Sequence, residues 1–239
     1  MKAMILAAGR GTRLQPLTND IPKALVKAGG MSLLERLIIK MKVQGITEIV
    51  INVHHLSDQI VRFLSDKDHF GIDITVSDES NALLDTGGAI FNARNLLDDA
   101  PFIVHNVDVL SDIDLRKLYQ AHMAHNALAT LVVRSRATSR YLLFNEEMLM
   151  QGWENRNSGE RIIAGNESEN LLPQAFSGIH VISPDIFRLY DGQGAFSIID
   201  AYLALCASQQ IRAYPSSGLW IDAGKAEGLK LANKLLGGL

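Results

Sequence analysis

Cysteine is almost absent from this chain of 239 residues. The single Cys206 excludes any disulfide within the chain, so the fold does not rest on a disulfide framework. Cys206 lies in the apolar helical stretch AYLALCAS, where a thiol packs as a small apolar side chain rather than acting as a nucleophile. The low cysteine content fits a reducing compartment.

An excess of charge of one sign and long apolar runs are also missing. The chain has 23 Lys and Arg against 26 Asp and Glu, a formal net charge of −3. This balance argues against nucleic-acid binding. No run approaches the ~18 apolar residues of a membrane span. The apolar run after Lys2 ends at Gly9, too early for a signal peptide. We therefore predict a soluble, cytoplasmic protein that binds neither nucleic acid nor membrane.

Strand and helix patterns alternate over the first part of the chain. Short apolar runs predict strands at 3–7, 48–53, 73–77, 102–106 and 127–133. Helical patterns lie between them, beginning at Ser32, at 57–65, from Thr86 through Leu97, and at 114–125. This alternation predicts right-handed βαβ units. The expected fold class is α/β, with a Rossmann-like open, mostly parallel (mixed) sheet flanked by helices.

The pattern changes from about residue 141. The stretch YLLFNEEMLMQGW predicts two strands, and the polar residues 154–170 predict a mobile loop. The remaining patterns predict, in order, the strand FSGIHVIS, helices at 184–191 and 197–209, the strand IRAYP, and a closing helix at 225–236. There is no repeat and no linker, so we predict one domain over residues 1–239.

The first predicted strand is followed by AAGRGTRLQPLTNDIPK, a loop rich in glycine and cations. Gly9 and Gly11 allow sharp bends that bring backbone N–H groups close to a ligand. Arg13 and Lys23 add long cationic side chains, and Arg10 is a further candidate. Ligands bind at the carboxyl ends of strands in open α/β sheets, so this loop suits a polyphosphate better than bulk solvent.

Two well-known phosphate loops do not match. The P-loop needs G-x-x-x-x-G-K-[ST], and the spacing here fails. The dinucleotide fingerprint needs a third glycine at position 14, which is Leu14.

The stretch GRGTRLQPLTNDIPKAL instead resembles the signature G-x-G-T-R-x-x-P-L-T-x-x-x-P-K of the sugar-1-phosphate nucleotidyltransferases. The resemblance extends to at least Gly224, since the DTGGAIF, FIVHNVD and WIDAG segments follow in the family's order. Within the family, the chain looks most like bacterial N-acetylmuramate-1-phosphate uridylyltransferases and mannose-1-phosphate guanylyltransferase-like proteins. The resemblance implies the nucleotide-diphospho-sugar transferase fold, with a nucleotide-binding part at 1–135 and a sugar-binding and closing part at 136–239.

The resemblance also implies a reaction. A sugar 1-phosphate would attack the α-phosphorus of a nucleoside triphosphate, releasing pyrophosphate by direct displacement. Two anions must meet, so positioning and charge neutralisation should dominate. Arg13 and Lys23 would be the catalytic residues, with Arg13 on the triphosphate and Lys23 on the sugar phosphate. The nucleotide would also contact the loop residues Ala8, Gly9, Gly11 and Thr12.

A Mg²⁺ site is implied by the same resemblance. Asp108 follows the buried strand FIVHN and matches the family's metal-binding aspartate, while Asp222 in WIDAG supplies the second carboxylate. Taken alone, each aspartate is also a candidate helix or turn cap. Val107 stands where the family has glycine, and a β-branched residue resists positive φ.

The base and sugar contacts are the remaining implied sites. Glu79 and Gly87 fall where the family's base-contacting loop should lie, with Asp85 nearby. Thr86 is expected to cap the following helix, with Gly87 and Gly88 exposing its first N–H groups. The alternative is an ordinary helix start. For the sugar phosphate, Asn106 and Gly178 are candidates, with Glu154 or Asn155 as further contacts to the hydroxyls; ordinary strand structure is the alternative.

The preferred substrates are UTP and an N-acetylhexosamine-type sugar 1-phosphate, used by a monomer or homodimer. Two alternatives stay open. One is a non-catalytic nucleotide or sugar-phosphate sensor on the same fold. The other is a cytidylyltransferase acting on phosphocholine.

Overall fold

The computed structural model describes residues 1–80, 82–167 and 169–237. The strands are β1 Lys2–Leu6, β2 Lys27–Ala28, β3 Met31–Ser32, β4 Glu48–Val53, β5 Asp73–Asp78, β6 Phe102–Asn106, β7 Val109–Ser111, β8 Ala129–Arg134, β9 Arg140–Phe144, β10 Met150–Asn155, β11 Glu160–Ile163, β12 Leu172–Ile182, β13 Ile211–Pro215 and β14 Trp220–Asp222. The α-helices are α1 Leu33–Val43, α2 Ser57–Asp66, α3 Asp85–Asn92, α4 Arg94–Leu97, α5 Leu115–His125, α6 Ile186–Leu189, α7 Ile198–Leu205 and α8 Ala226–Leu236. Short 3₁₀ helices cover Thr12–Leu14, Lys23–Leu25 and Asp68–Gly71.

The chain divides into two compact units, the first of which comprises residues 1–84, 104–115 and 218–239. In this unit β4 pairs in parallel with β1 and with β5. The register places Leu6 opposite Asn52, and Asn52 opposite Ser77. The Val107 N–H donates to Leu6 O at 3.2 Å, so the end of β6 lies beside β1. The carboxyl ends of these strands therefore meet at one edge.

Helix α1 supports this unit through a capped start and an apolar face. The Ser32 side chain accepts a hydrogen bond from the Glu35 N–H at 3.1 Å, as the S-x-x-E spacing predicted. The core-facing side of α1 is fully or almost fully buried and comprises Leu33, Leu34, Leu37, Ile38 and Met41.

A small antiparallel ribbon completes the first unit. β7 pairs with β14, with Ser111 opposite Trp220 and Val109 opposite Asp222. Asp108 immediately precedes this ribbon and Asp222 ends it. Two aspartates that are far apart in the sequence are thus carried by one pair of strands.

The second unit comprises residues 85–103 and 116–217. Its pairing is mostly antiparallel, since β12 pairs with β8 and β9, and β10 pairs with β9 and β11. β13 pairs with β8 in parallel. The unit also contains a half-buried aromatic cluster, in which the Phe91 ring meets those of Phe187 and Phe196 edge to face. Parallel and mixed strand pairing with accompanying helices confirms the predicted α/β class.

Three local expectations were wrong. The helix expected through Leu97 ends at Asn92, and a separate turn of helix follows. The polar stretch 154–170 is not simply a loop, because β11 pairs with β10 after a turn in which Gly159 has a φ of 75°. Residue 168 of this stretch and residue 81, which precedes the DTGGAIF segment, lie outside the described residues. Thr86 does not cap its own helix: its Oγ1 accepts from the Ile198 N–H at 3.0 Å, at the start of α7.

Over the described ranges, no helix combines the length and apolar character needed to cross a bilayer. The assignment of residues 1–135 to nucleotide binding and of residues 136–239 to sugar binding, within one domain, stays a prediction.

Candidate active site

The glycine-rich loop begins where β1 ends and is held by specific hydrogen bonds. The Ala7 N–H donates to Asn52 Oδ1 at 2.7 Å. Gly11 has a φ of 68°, in the left-handed region that favours glycine. The Thr18 hydroxyl donates to Gly11 O at 2.7 Å, and a Cβ on Gly11 would lie 2.8 Å from Thr18 Cγ2. The turn at Gly11 therefore has no room for a side chain.

The two predicted catalytic cations enter the site from the 3₁₀ helices that follow. Arg13 lies in the first, and its side chain is 55% exposed. Lys23 starts the second, and its side chain is only 14% exposed. A Cβ on Gly9 would lie 3.1 Å from Lys23 Nζ, so the loop backbone and the ammonium group are neighbours. Of the other predicted loop contacts, Ala8 is buried and Thr12 is exposed.

Asp108 is buried and faces these cations. Its Oδ2 accepts a hydrogen bond from Lys23 Nζ at 2.9 Å and lies 3.9 Å from Arg13 Nη2. The carboxylate is therefore compensated although its side chain is only 7% exposed.

Asp222 shares Arg13 with Asp108. Its Oδ2 lies 3.5 Å from Arg13 Nη1 and 3.6 Å from Lys225 Nζ. Its Oδ1 accepts from the Gly224 N–H at 3.1 Å, which fixes the orientation of the carboxylate. The structure thus brings Arg13, Lys23, Asp108 and Asp222 together.

The backbone around the two aspartates is closely packed. The Ala223 N–H donates to Asp108 O at 2.8 Å. A Cβ on Gly224 would overlap Asp108 Oδ2 and would lie 3.0 Å from Asp222 Oδ1. One small space is thus bordered by both carboxylates, and only glycine leaves it open. Val107 is fully buried and, among the described residues, is not one of those with positive φ. Its β-branch is therefore accommodated without strain.

These two carboxylates fit a hard divalent cation. Oxygen ligands and an incomplete protein shell suit Mg²⁺, which keeps waters and takes phosphate oxygens as further ligands. Over the described ranges, no cluster of three or more His, Cys, Asp and Glu could hold a metal. The remaining ligands at Asp108 and Asp222 would have to come from water and substrate.

Glu79 is buried at the same sheet edge, where it takes part in a hydrogen-bonded chain. It accepts a hydrogen bond from Asn52 Nδ2 at 2.9 Å, and Asn52 Oδ1 in turn holds the Ala7 N–H. Burial raises the pKa of the Glu79 carboxyl, and the hydrogen bond from Asn52 opposes this effect. Asn106, the last residue of β6, lies two positions before Asp108.

Gly87 and Gly178 belong to the second unit. The N–H groups of Gly87 and Gly88 both donate to Phe196 O, at 2.9 and 3.2 Å. The expectation that these donors are exposed was therefore wrong. A Cβ on Gly87 would overlap the Phe196 ring, so the glycine serves close packing. Gly178 has a φ of 74° and lies where the register of β12 shifts between Phe176 and His180.

The second unit also contains a cavity of about 460 Å³. Its lining combines aromatic side chains with polar and cationic groups, including Tyr141, Trp153, Phe176, Arg136, Arg140 and Ser197. This volume and mixed lining suit a small polar ligand.

Sequence reasoning missed Asn52, Thr18 and Lys225. Asn52 is the only strongly polar side chain after Glu48 in the otherwise apolar strand EIVINV, and that exception was a signal. Thr18 belongs to the matched P-L-T signature. Lys225 gave no signal, because only the fold places it on Asp222.

Comparison with known proteins identifies the family of this chain. The nucleotidyl transferase family model matches residues 2–237. The N-acetylmuramate alpha-1-phosphate uridylyltransferase of Neisseria meningitidis is 32% identical over 237 residues, 99% of each chain. The mannose-1-phosphate guanyltransferase of Kluyveromyces lactis is 28% identical over 230 residues, 94% of this chain and 62% of the relative. In fold, HddC from Yersinia pseudotuberculosis complexed with GMP-PN matches with a TM-score of 0.79 at 23% identity, covering 98% of each chain. The chain belongs to the nucleotidyl transferase family.

Proposed function

We propose that this protein is an enzyme that transfers a nucleotidyl group from a nucleoside triphosphate to a sugar 1-phosphate. The products are an NDP-sugar and pyrophosphate. The observation that carries the proposal is the convergence of Arg13 and Lys23 on Asp108 and Asp222 beside the glycine loop. Membership of a family with uridylyl- and guanylyltransferase members supports it.

Arg13 and Lys23 supply the positive charge that the reaction needs. Arg13 is exposed and can reach a triphosphate, where its planar guanidinium suits two phosphate oxygens. Lys23 is mostly buried beside Gly9 and acts as a fixed point charge for the sugar phosphate. The backbone of Ala8, Gly9, Gly11 and Thr12 would lie along the nucleotide phosphates.

The chemical step is a direct displacement. A sugar-phosphate oxygen forms a bond to the α-phosphorus, and the bond from that phosphorus to the oxygen that bridges it to the β-phosphorus breaks, so that this oxygen leaves with pyrophosphate. The attacking phosphate has its second pKa near 6, so it is largely deprotonated at neutral pH. No general base is required, and the protein contributes position and charge.

Asp108 and Asp222 would hold a divalent cation, for which we propose Mg²⁺. When bound, the metal would neutralise phosphate charge and polarise the α-phosphate. The Gly224 N–H orients the Asp222 carboxylate for this role, and the Ala223 N–H holds the backbone carbonyl of Asp108.

We further propose that groups of the second unit contribute contacts to the sugar. Trp153 supplies an aromatic side chain for a sugar ring, and Arg136 and Arg140 supply polar groups for its substituents. Gly178 lies two residues beyond Phe176 in β12, and Glu154 and Asn155 follow Trp153 in β10. Asn106 at the end of β6 would contact the sugar phosphate, and Glu79 and Gly87 the nucleotide.

The favoured substrates are UTP and an N-acetylhexosamine-type sugar 1-phosphate, N-acetylmuramate 1-phosphate first. This choice rests on the uridylyltransferase relative, which matches over nearly its full length. The guanyltransferase relative is matched over only 62% of its length. Residues 1–135 and 136–239 would serve the nucleotide and the sugar, respectively, in a monomer or homodimer.

The direct test is pyrophosphate release by the purified protein with Mg²⁺. Each of UTP, GTP, CTP and dTTP is combined with N-acetylmuramate, N-acetylglucosamine, glucose and mannose 1-phosphates. CTP with phosphocholine tests the alternative acceptor. We expect release that requires UTP and one N-acetylhexosamine 1-phosphate together. Nucleotide binding without release from any pair would favour a sensor, and release only with phosphocholine would replace the sugar acceptor.

A further inference from the structure

We propose that Lys40 is a positioning residue for the metal-binding ribbon. Its ammonium group holds the end of β7 against α1, and so fixes the strand pair that carries Asp108 and Asp222. The inference rests on the proposed function insofar as the two aspartates bind a divalent cation.

The contact is direct and made to both polar groups of one residue. Lys40 Nζ donates to Ser111 O at 2.8 Å and to Ser111 Oγ at 3.0 Å. Ser111 is the last residue of β7 and pairs with Trp220 of β14. One position further, the Asp112 N–H donates to Leu219 O at 3.2 Å. Lys40 thus holds the ribbon at the end opposite the two aspartates.

Gln44, at the same end of α1, binds the residues that follow β7. Gln44 Oε1 accepts from the Leu115 N–H at 2.6 Å, and Gln44 Nε2 donates to Ile113 O at 3.4 Å. The end of α1 therefore contacts residues 111, 113 and 115 in succession. Because α1 is buried along its apolar face and capped at Ser32, it provides a rigid support for this segment.

The metal site needs such support. The aspartates are joined through backbone contacts of the ribbon, with Val109 opposite Asp222 and the Ala223 N–H on Asp108 O. A shift of β7 relative to β14 would change the separation of the carboxylates. Outer groups that orient metal ligands typically change metal affinity by about 10- to 100-fold when they are removed.

The Lys40 side chain is partly buried and lies near two acidic residues, Asp112 and Asp114. Burial lowers its pKa to about 8, although Asp112 and Asp114 act in the opposite direction. His105 of β6 is fully buried. Mainly because of this burial, the pKa of His105 is lowered to about 3, so the imidazole is neutral at physiological pH. The ammonium form of Lys40 is therefore present below about pH 8 and is lost above it. An exposed lysine would lose its charge only near pH 10.4.

The test compares Lys40→Met with Lys40→Arg and with Lys42→Met. Methionine keeps the apolar stem and removes the donors, whereas arginine keeps a charged donor. Lys42 lies on the same helix and donates to Phe70 O, away from the ribbon, so it is the matched control. Ser111→Ala provides a second, milder lesion that leaves Lys40 and the Ser111 carbonyl in place.

Two readouts do not depend on turnover. Mn²⁺ affinity is measured on the protein alone by electron paramagnetic resonance, and amide hydrogen exchange is measured for residues 109–112 and 220–223. We expect Lys40→Met to weaken Mn²⁺ binding on the order of tenfold and to speed exchange in the ribbon. Lys40→Arg should keep most of the wild-type Mn²⁺ affinity and of the protection of the ribbon from exchange. Ser111→Ala should change both quantities less than Lys40→Met does, and Lys42→Met should match wild type. In the wild type, Mn²⁺ affinity should fall as the pH rises through about 8, whereas in Lys40→Arg it should not.

Unchanged Mn²⁺ affinity and unchanged ribbon exchange in a folded Lys40→Met protein would overturn the proposal. Equal losses in Lys40→Met and Lys42→Met would overturn it too, because they would indicate a general effect on α1. These outcomes are separate from the enzymatic proposal, since a protein that releases no pyrophosphate still gives both readouts.

Discussion

Lys23 Nζ and Asp108 Oδ2 are 2.9 Å apart, although the two residues are separated by 85 positions in the sequence. The contact links the cationic loop after β1 to the ribbon that carries the carboxylates. A predicted phosphate-binding residue and a predicted metal ligand thus neutralise each other. Binding of substrate and metal would exchange this ion pair for two others, without creating an uncompensated buried charge.

Replacing Lys23 tests the phosphate end of this pair. We expect Lys23→Met to lower kcat/KM by about 10- to 150-fold, since a hydrogen bond to a charged group contributes about 1.5–3 kcal/mol. The loss should appear mainly in KM for the sugar 1-phosphate, measured by initial-rate kinetics at saturating nucleotide. Lys67→Met is the control, because Lys67 forms an exposed ion pair with Glu35. A Lys23→Met enzyme with wild-type kinetics would remove this residue from the site.

Gly224→Ala tests the space between the carboxylates. The added Cβ would overlap Asp108 Oδ2, so the carboxylate must move away from Asp222. We expect the half-saturating Mg²⁺ concentration to rise on the order of tenfold or more. Added Mg²⁺ should restore part of the activity. Circular dichroism without Mg²⁺ checks that the variant is folded, because bound Mg²⁺ would also stabilise a weakened fold. An unchanged Mg²⁺ requirement would show that the space is not used by the metal.

His122 and His125 on α5 form a natural pair for a stability measurement. His122 is buried with its Nδ1 3.0 Å from Thr130 Oγ1, and burial lowers its pKa to about 4. The unfolded chain takes up this proton near pH 6.5, so the contribution of His122 to stability is lost as the pH falls from about 6.5 towards 4.

Lowering the pH from 7 to 5 should therefore reduce the free energy of unfolding of both variants, but by about 1–2 kcal/mol less in His122→Gln than in His125→Gln. His125 is exposed, so its replacement serves as the control. Urea unfolding at the two pH values measures the difference. Identical pH dependence in the two variants would mean that His122 accepts a proton in the folded protein.

Sequence periodicity was sufficient for the parallel part of the fold. The mostly apolar run EIVINV predicted a strand at the same residues as β4, because a strand buried on both faces leaves a nearly continuous apolar signal. The hairpin strand β11 was missed, because Glu160–Ile163 is an exposed strand in a polar, glycine-bearing stretch. Thr86 was expected to cap its own helix, but its side chain binds the start of α7 instead. The sequence could not show this, because its partner Ile198 lies 112 residues away.

The four residues that the structure brings together were all named from the sequence, but their contacts were not predictable. The loop signature identified Arg13 and Lys23, and the order of the segments identified Asp108 and Asp222. Spacing could not show that Asn52 connects Ala7 to Glu79, or that Lys40 reaches Ser111. Both links join residues from different strands and helices, and only the folded chain brings them into contact.

The two carboxylates are the centre of the proposed site, so their replacement is the most direct measurement. Pyrophosphate release is measured with Mg²⁺ and the active pair of substrates for wild type, Asp108→Asn and Asp222→Asn. Asp185→Asn serves as a surface control, and circular dichroism confirms folding. We expect each site variant to lose Mg²⁺-dependent turnover while remaining folded, and the control to keep it. A folded Asp108→Asn or Asp222→Asn protein with near-wild-type turnover would contradict the assignment of that residue to the metal.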